Sequence, residues 1–247
     1  MTHKFATLIL AVSALGLSAL PAAADNACST FAGANNGGTY FGTAGFSCYI
    51  GTLDFSDFTY SSASSNPPAP TPDTAVTVNV VNNASGIGFL FNSSWTANGP
   101  SEFSDAIIGF TVSVVGGGPA TLEDAALVQT GGIDSTNTGS RDSVGEDACS
   151  GPSNNNPPCT QQWALVTSQT SNTINTTAHA FYTPTGSISV SKDISAISGS
   201  DPNAFASISG VQDTFSQVPE PRSLALLLGL GLVAGLSLKK KLQSVQS

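Results

Sequence analysis

Basic residues are scarce in this chain. Seven Lys and Arg are spread over 247 residues against sixteen Asp and Glu, and charged residues make up 9% of the whole, far below the ~25% usual in soluble domains. Only Arg141 and Lys192 lie between residues 25 and 217, against fifteen acidic residues, which leaves that central body at a net charge of −13. Binding to phosphate needs clustered Lys and Arg, so nucleic acid and anionic membrane surfaces are excluded as partners of the body. Histidine is nearly missing too, with His179 alone in the body. No Cys-x-x-Cys pair occurs, which excludes a structural zinc site on spacing. No Gly-Lys-Ser/Thr follows Gly116-Gly117-Gly118-Pro119 and no Gly-x-Ser-x-Gly elbow is found, so neither a phosphate loop nor a nucleophile elbow is present. No cofactor or metal site is legible. Ser, Thr, Asn and Gly fill the space left by charge, as in extracellular β proteins with hydroxyl- and amide-covered surfaces.

The two ends carry the strongest signals. Lys4 precedes an apolar stretch from Phe5 to Leu20, relieved only by Thr7, Ser13 and Ser18, and Pro21 breaks it before Ala22-Ala23-Ala24. A positive start, an apolar core and small residues before the cut define a secretory signal over residues 1–24, with signal peptidase cleaving between Ala24 and Asp25. The alternative is an uncleaved N-terminal anchor, which the small-residue site disfavours. At the other end, Val218-Pro219-Glu220-Pro221 and Arg222-Ser223 lead into an uncharged run over residues 224–238, closed by Lys239, Lys240 and Lys241. As a helix that run is about 22 Å long, short against a hydrocarbon core of roughly 30 Å. Thinning of the bilayer and snorkelling of the flanking cations close the gap at modest cost. The lysine triplet is expected to stay cytoplasmic by the positive-inside rule, with the body on the outer side. A helix buried in a globular core is the competing reading, and three lysines at its end argue against it.

A Pro-Glu-Pro motif, a short apolar helix and a basic stop, in that order at the C-terminus, resemble the PEP-CTERM sorting domain of Gram-negative bacteria. The resemblance is confined to residues 218–241 and gives the body no family. It implies that the chain is exported across the inner membrane and held there by its C-terminal helix. Exosortase, a membrane protease, then cuts near Val218–Arg222 and frees the body to the cell surface or medium. It also implies an association with exopolysaccharide or biofilm, and hydroxyl-linked glycans on the Ser/Thr surface fit the same setting.

Four cysteines in an exported chain are read as disulfides. Of the three connectivities, Cys28–Cys48 and Cys149–Cys159 join sequence neighbours, and each closes a loop worth about 3 kcal/mol. The second would cinch Ser150-Gly151-Pro152-Ser153-Asn154-Asn155-Asn156-Pro157-Pro158.

Between the ends, apolar and polar residues alternate in short runs. Val76, Val78 and Val80 do so with Thr77 and Asn79, and Ile108, Phe110, Val112 and Val114 with Gly109, Thr111 and Ser113. Ile188 and Val190 lie between serines, and Ser47 to Thr59, Gly88 to Phe91, Trp163 to Thr167, Ala178 to Thr183 and Phe205 to Ile208 are further strand candidates. One apolar face per strand predicts an all-β body, an antiparallel β-sandwich over residues 25–217 with solvent outside. Asn66-Pro67-Pro68-Ala69-Pro70-Thr71-Pro72 reads as a stiff inter-strand loop rather than a domain boundary. Thr121-Leu122-Glu123-Asp124 fits a helix N-cap as well as a strand edge or turn.

Candidates for chemistry are few. His179 should face away from the Ala178/Ala180/Tyr182 side of its strand, and a lone strand histidine is ordinarily structural or exposed. Asp54/Asp57, Glu123/Asp124, Asp134, Asp142 and Glu146/Asp147 are the carboxylates from which an acid/base pair could be drawn, and no pattern selects one. The acidic stretch from Asp134 through Asp142 to Glu146-Asp147 reads as a solvated loop, with calcium as its alternative. Trp95, Trp163 and Tyr182 are core residues by default and sugar-stacking platforms otherwise. Asn83, Asn92 and Asn175 fit the Asn-x-Ser/Thr acceptor pattern, whereas Asn172 does not. These features predict a non-catalytic surface or matrix protein, with a carbohydrate-binding or adhesive module and a secreted glycan hydrolase as alternatives.

Overall fold

The computed structural model describes residues 26–31, 33–65, 69–115, 120–134, 139–150, 159 and 161–219. The expected signal helix with its cleavage site, the apolar segment 224–238, the lysine stop, and Glu220 and Pro221 of the motif lie outside the described residues. Among the described residues no helix is long and apolar enough to cross a membrane.

Among the described residues twelve strands make up the body. They are β1 (Cys48–Ile50), β2 (Leu53–Ser64), β3 (Thr77–Asn83), β4 (Gly86–Asn98), β5 (Phe103–Val114), β6 (Ala120–Ile133), β7 (Arg141–Ser150), β8 (Gln162–Thr170), β9 (Thr173–Asn175), β10 (Thr177–Thr185), β11 (Ser187–Ile197) and β12 (Phe205–Pro219). Seven form one sheet in the order β1-β2-β5-β11-β7-β8-β9, and five form a second in the order β10-β6-β12-β4-β3. Each ladder between these strands is antiparallel. The alternation seen in the sequence thus yields two antiparallel sheets whose apolar faces meet, the arrangement expected of half-buried strands.

The core between the sheets is aromatic at one end. Phe55, Phe89, Phe91, Phe110 and Phe215 are sealed from solvent. Phe55 and Phe89 meet edge-on at 4.7 Å between ring centres, and Phe58 and Phe110 stack at 5.8 Å. Trp95, one of the three candidate stacking platforms, is wholly buried in this core. The residues before β1 close the same end. A short helix, α1 (Gly37–Gly42), carries Tyr40 into the aromatic cluster, where its hydroxyl donates to the Cys28 carbonyl at 3.0 Å and burial pushes its pKa up to about 12. Asn36 extends the edge of β3. Its side chain accepts from the Val78 N–H at 2.7 Å and donates to the Val78 carbonyl at 2.9 Å.

Both expected disulfides are formed, with Cα–Cα distances of 4.8 Å for Cys28–Cys48 and 5.2 Å for Cys149–Cys159. The first fastens the 3-10 turn Cys28–Phe31 to β1, and the second ties the end of β7 to Cys159, three residues before β8.

Of the readings left open for Thr121 to Asp124, the strand is the one observed: the segment lies within β6, where Leu122 pairs with Gln217 and Asp124 with Ser216 of β12. One expectation needs correction. The stretch from Arg141 to Asp147 is not a solvated loop but most of β7, and it turns Asp142 and Glu146 into the core. Only Asp147 of that trio faces solvent. Asp142 and Glu146 share the inward positions of this strand with Val144 and Ala148, so carboxyls interrupt its apolar face.

Candidate binding cleft and the buried polar layer

β8 lies near one edge of the seven-stranded sheet, and β10 forms the edge of the facing sheet. Their inward side chains meet at the seam. Trp163 and Tyr182 stack face to face, with ring centres 4.0 Å apart and planes 11° from parallel. Both are half-buried, and with Gln161, Gln162, Phe181 and Thr183 they line an open cleft of about 610 Å3. The Tyr182 hydroxyl donates to the Asp124 carbonyl at 3.0 Å. Burial, followed by the charges of Asp213, Asp124, Glu146 and Glu123, raises its pKa and keeps it a neutral donor. The indole N–H of Trp163 is buried and has no acceptor among the described residues. Phe181 projects outward from the same strand, 75% exposed. An exposed aromatic beside amide and hydroxyl groups can stack on an apolar ring face while bonding to polar groups around its rim.

Outward from the cleft, His179 faces away from Ala178, Ala180 and Tyr182, as the strand period requires. Its Nε2 lies 3.6 Å from Asp124 Oδ2, and Phe181 packs edge-on against its ring at 4.4 Å. The remaining carboxylates are dispersed. Asp54 is half-buried on β2 and Asp57 is exposed at a bulge in the same strand; burial, opposed by a backbone hydrogen bond, raises Asp54. Glu123 and Asp124 are neighbours on β6, and Asp134 follows its end. Asp105 and Asp193, which sequence reasoning did not single out, are neighbours on the outer face of the seven-stranded sheet, and burial first, then Asp193, raises the Asp105 pKa. Among the described residues no group of three His, Cys, Asp or Glu side chains is placed to hold a metal ion. Asn83 and Asn175 are exposed and Asn92 is partly covered.

Sequence reasoning missed the most unusual feature altogether. Lys192 of β11 is sealed in the core, where its Nζ donates to Glu146 Oε2 at 2.7 Å and to Asp213 Oδ2 at 2.5 Å. Lys192 and Glu146 are opposite each other in the β11–β7 ladder, so their side chains share the inner face of one sheet. Asp213 reaches them from β12 in the other. The ammonium also sits 5.2 Å from the centre of the Phe110 ring. Burial alone lowers the Lys192 pKa, but the charges of Asp213 and Glu146 outweigh it and the net direction is upward. Burial pushes Asp213 up to about 7, the Glu146 charge adding to the rise and Lys192 opposing it. One ammonium thus faces two carboxyls that cannot both ionise at low cost. Oε1 of Glu146 and Oδ1 of Asp213 have no hydrogen-bond partner among the described residues. Further along the same interior, Gln129 of β6 donates to Asp142 and accepts from Thr167 at 2.7 Å. The residue types alone hinted at this layer only in one respect: Lys192 is a cation in an otherwise alternating Ser/Val/Ile strand, at a position its period turns inward.

The described residues form an antiparallel β-sandwich with an aromatic-lined cleft at its seam. Neither a family model nor a curated protein matches the sequence. Among solved structures, TmCBM61 in complex with β-1,4-galactotriose aligns at 11% identity over 65% of this chain and 88% of its own length, with a TM-score of 0.29. A score that low leaves the likeness without weight for fold or ligand.

Proposed function

We propose that this chain is an exported, non-catalytic surface protein whose β-sandwich binds neutral polysaccharide in the cleft formed by Trp163, Phe181 and Tyr182. The observation that carries the reading is the cleft itself: stacked and exposed aromatic rings bordered by Gln161, Gln162 and Thr183. Neutral glycans are favoured over uronic or sulfated ones because the body has thirteen more acidic than basic residues, and one of its two cations, Lys192, is buried away from the surface. The tail supplies the address. In this reading the C-terminal helix holds the precursor in the inner membrane of a Gram-negative bacterium. Signal peptidase and exosortase are its processing enzymes, and extracellular polysaccharide is its partner outside.

Calorimetric titration with soluble neutral and acidic polysaccharides tests the binding. Neutral polymers should bind with little dependence on salt. Trp163→Ala should weaken binding by about tenfold or more, the factor that ~1.4 kcal/mol of lost aromatic contact produces. Phe181→Ala, at a 75% exposed position, should weaken binding without altering the melting temperature. Undiminished affinity in both variants would reject the cleft as the site.

A further inference from the structure

We propose that Lys192 and Asp213 condense spontaneously to an intramolecular amide, with Glu146 as the catalytic proton carrier, so that the two sheets are joined by a covalent bond between β11 and β12. The geometry supplies each part of such a reaction. The nucleophile, Lys192 Nζ, lies 2.5 Å from one oxygen of the Asp213 carboxyl and 2.7 Å from Glu146. All three side chains are completely buried, so bulk water neither solvates the charges nor competes for the carbonyl carbon. Holding the two reacting groups in one rigid core replaces a bimolecular encounter, and effective molarities of about 10⁵ M or more are reached in well-oriented intramolecular reactions.

Ordinarily an amine and an acid form a salt rather than an amide, because water stabilises the ions. In this interior burial penalises each charged form, and although the two carboxyls hold Lys192 as ammonium, its proton has an acceptor in direct contact at Glu146. The site starts with Lys192 as ammonium, Asp213 as the neutral acid and Glu146 as carboxylate. The elevated Asp213 pKa is in keeping with that state. Lys192 passes one proton to Glu146, which leaves three neutral groups. The amine lone pair then attacks Cγ of Asp213. The new C–N bond forms as the carbonyl π bond opens to a tetrahedral centre. Glu146 gives its proton to the departing hydroxyl, which leaves as water, and takes up the second proton from nitrogen. The balance is one ammonium, one acid and one carboxylate in, and one amide, one water and one neutral Glu146 out, with no oxidant or co-reactant. The unpartnered oxygens of Glu146 and Asp213 suit this account: a permanent ion triad would leave them buried without donors, whereas the reaction removes one charge pair altogether.

The consequence is mechanical. Positions 192 and 213 are 21 residues apart, and β12 is the strand that leads into the Pro-Glu-Pro segment. A bond at Asp213 anchors that last strand to the opposite sheet.

Intact mass of the full chain, purified after expression and shown to be folded by a cooperative melt, tests the proposal. The wild type should be lighter than its sequence by one water beyond the hydrogens lost to the two disulfides. Tandem spectra of a digest should contain a branched peptide linking Lys192 to Asp213. Glu146→Gln should fold and keep the full mass. Asp213→Asn should lose one ammonia instead and give a product of the same mass as the wild type, because the amide formed is identical. A folded wild-type protein at full mass would overturn the proposal. A Glu146→Gln protein that cross-links as completely as the wild type would overturn the role of Glu146.

Discussion

Asp142 illustrates what a single residue can contribute here. It is completely buried, with one oxygen bonded by Gln129 and the other lacking a partner among the described residues. Burial, opposed by hydrogen bonds from Gln129 and the Gln169 backbone, raises its pKa from 3.8 to about 6. A carboxyl that holds its proton more tightly when folded favours the fold wherever the unfolded chain has already lost that proton. Its effect on stability is therefore most favourable below about pH 4 and is lost as pH rises through about 6. A shift of this size corresponds to on the order of 2–3 kcal/mol. The body should be more resistant to denaturant at pH 5 than at pH 8, and Asp142→Asn should flatten that dependence. A urea-midpoint series across pH checks both; greater stability at pH 8 in the wild type would contradict the assignment. The sequence displayed Asp142 only as one acid in a polar stretch. Its neighbours Ser143, Gly145 and Asp147 are polar or small as well, so no alternation marked the strand, and only the facing sheet decided which acids went inside.

At the scale of elements, β12 is the centre of its sheet, paired along its length with β4 on one side and β6 on the other. It runs to Pro219, two residues past the end of the expected body, and Val218 and Pro219 are registered against Thr121 and Ala120. Its neighbours approach closely through glycine. A Cβ built on Gly88 would lie 2.0 Å from the Asp213 carbonyl oxygen, a backbone atom that cannot swing away. Gly88→Ala should therefore destabilise the body by about 1–3 kcal/mol, the usual cost of overpacking. It should also disturb the Lys192 site, because it displaces the backbone of Asp213. Gly145→Ala is the matched control, since a Cβ there meets nothing within 4 Å and alanine loses less freedom on folding than glycine. Thermal melts of the two variants would separate these effects, and equal melting temperatures would refute the close approach as the reason for glycine at position 88. The strands themselves were legible where β-branched and aromatic residues alternate, as in β3, β5 and β11. β6 and β7 were obscured by Glu, Asp and Gly, whose intrinsic preference runs against strands and yields to pairing on both sides.

For the molecule as a whole, the sorting proposal and the fold meet at the Pro-Glu-Pro segment. A protease needs its substrate extended and unpaired, and β12 is paired through Pro219. The C-terminus of the processed protein is therefore expected at or beyond Pro219, which mass spectrometry of the secreted form would show directly. A mature chain ending before Val218 would mean that β12 opens before cleavage. Glu220→Ala with the apolar run intact should leave full-length precursor in the membrane fraction; normal release of that variant would remove the motif from the sorting step.

By itself the sequence determined the periodic features: alternation that makes sheets, four cysteines whose nearest neighbours pair, and two terminal segments whose apolar length and flanking charge are local properties. The tertiary structure alone decided where the polar exceptions go. Lys192, Glu146 and Asp213 come from three strands and two sheets, and Trp163 and Tyr182 from two strands on opposite sheets. Strand period tells which residues share a face, but not which faces meet. That pairing is set by packing the whole core, where a buried charge must find its partners across the gap or not be tolerated at all.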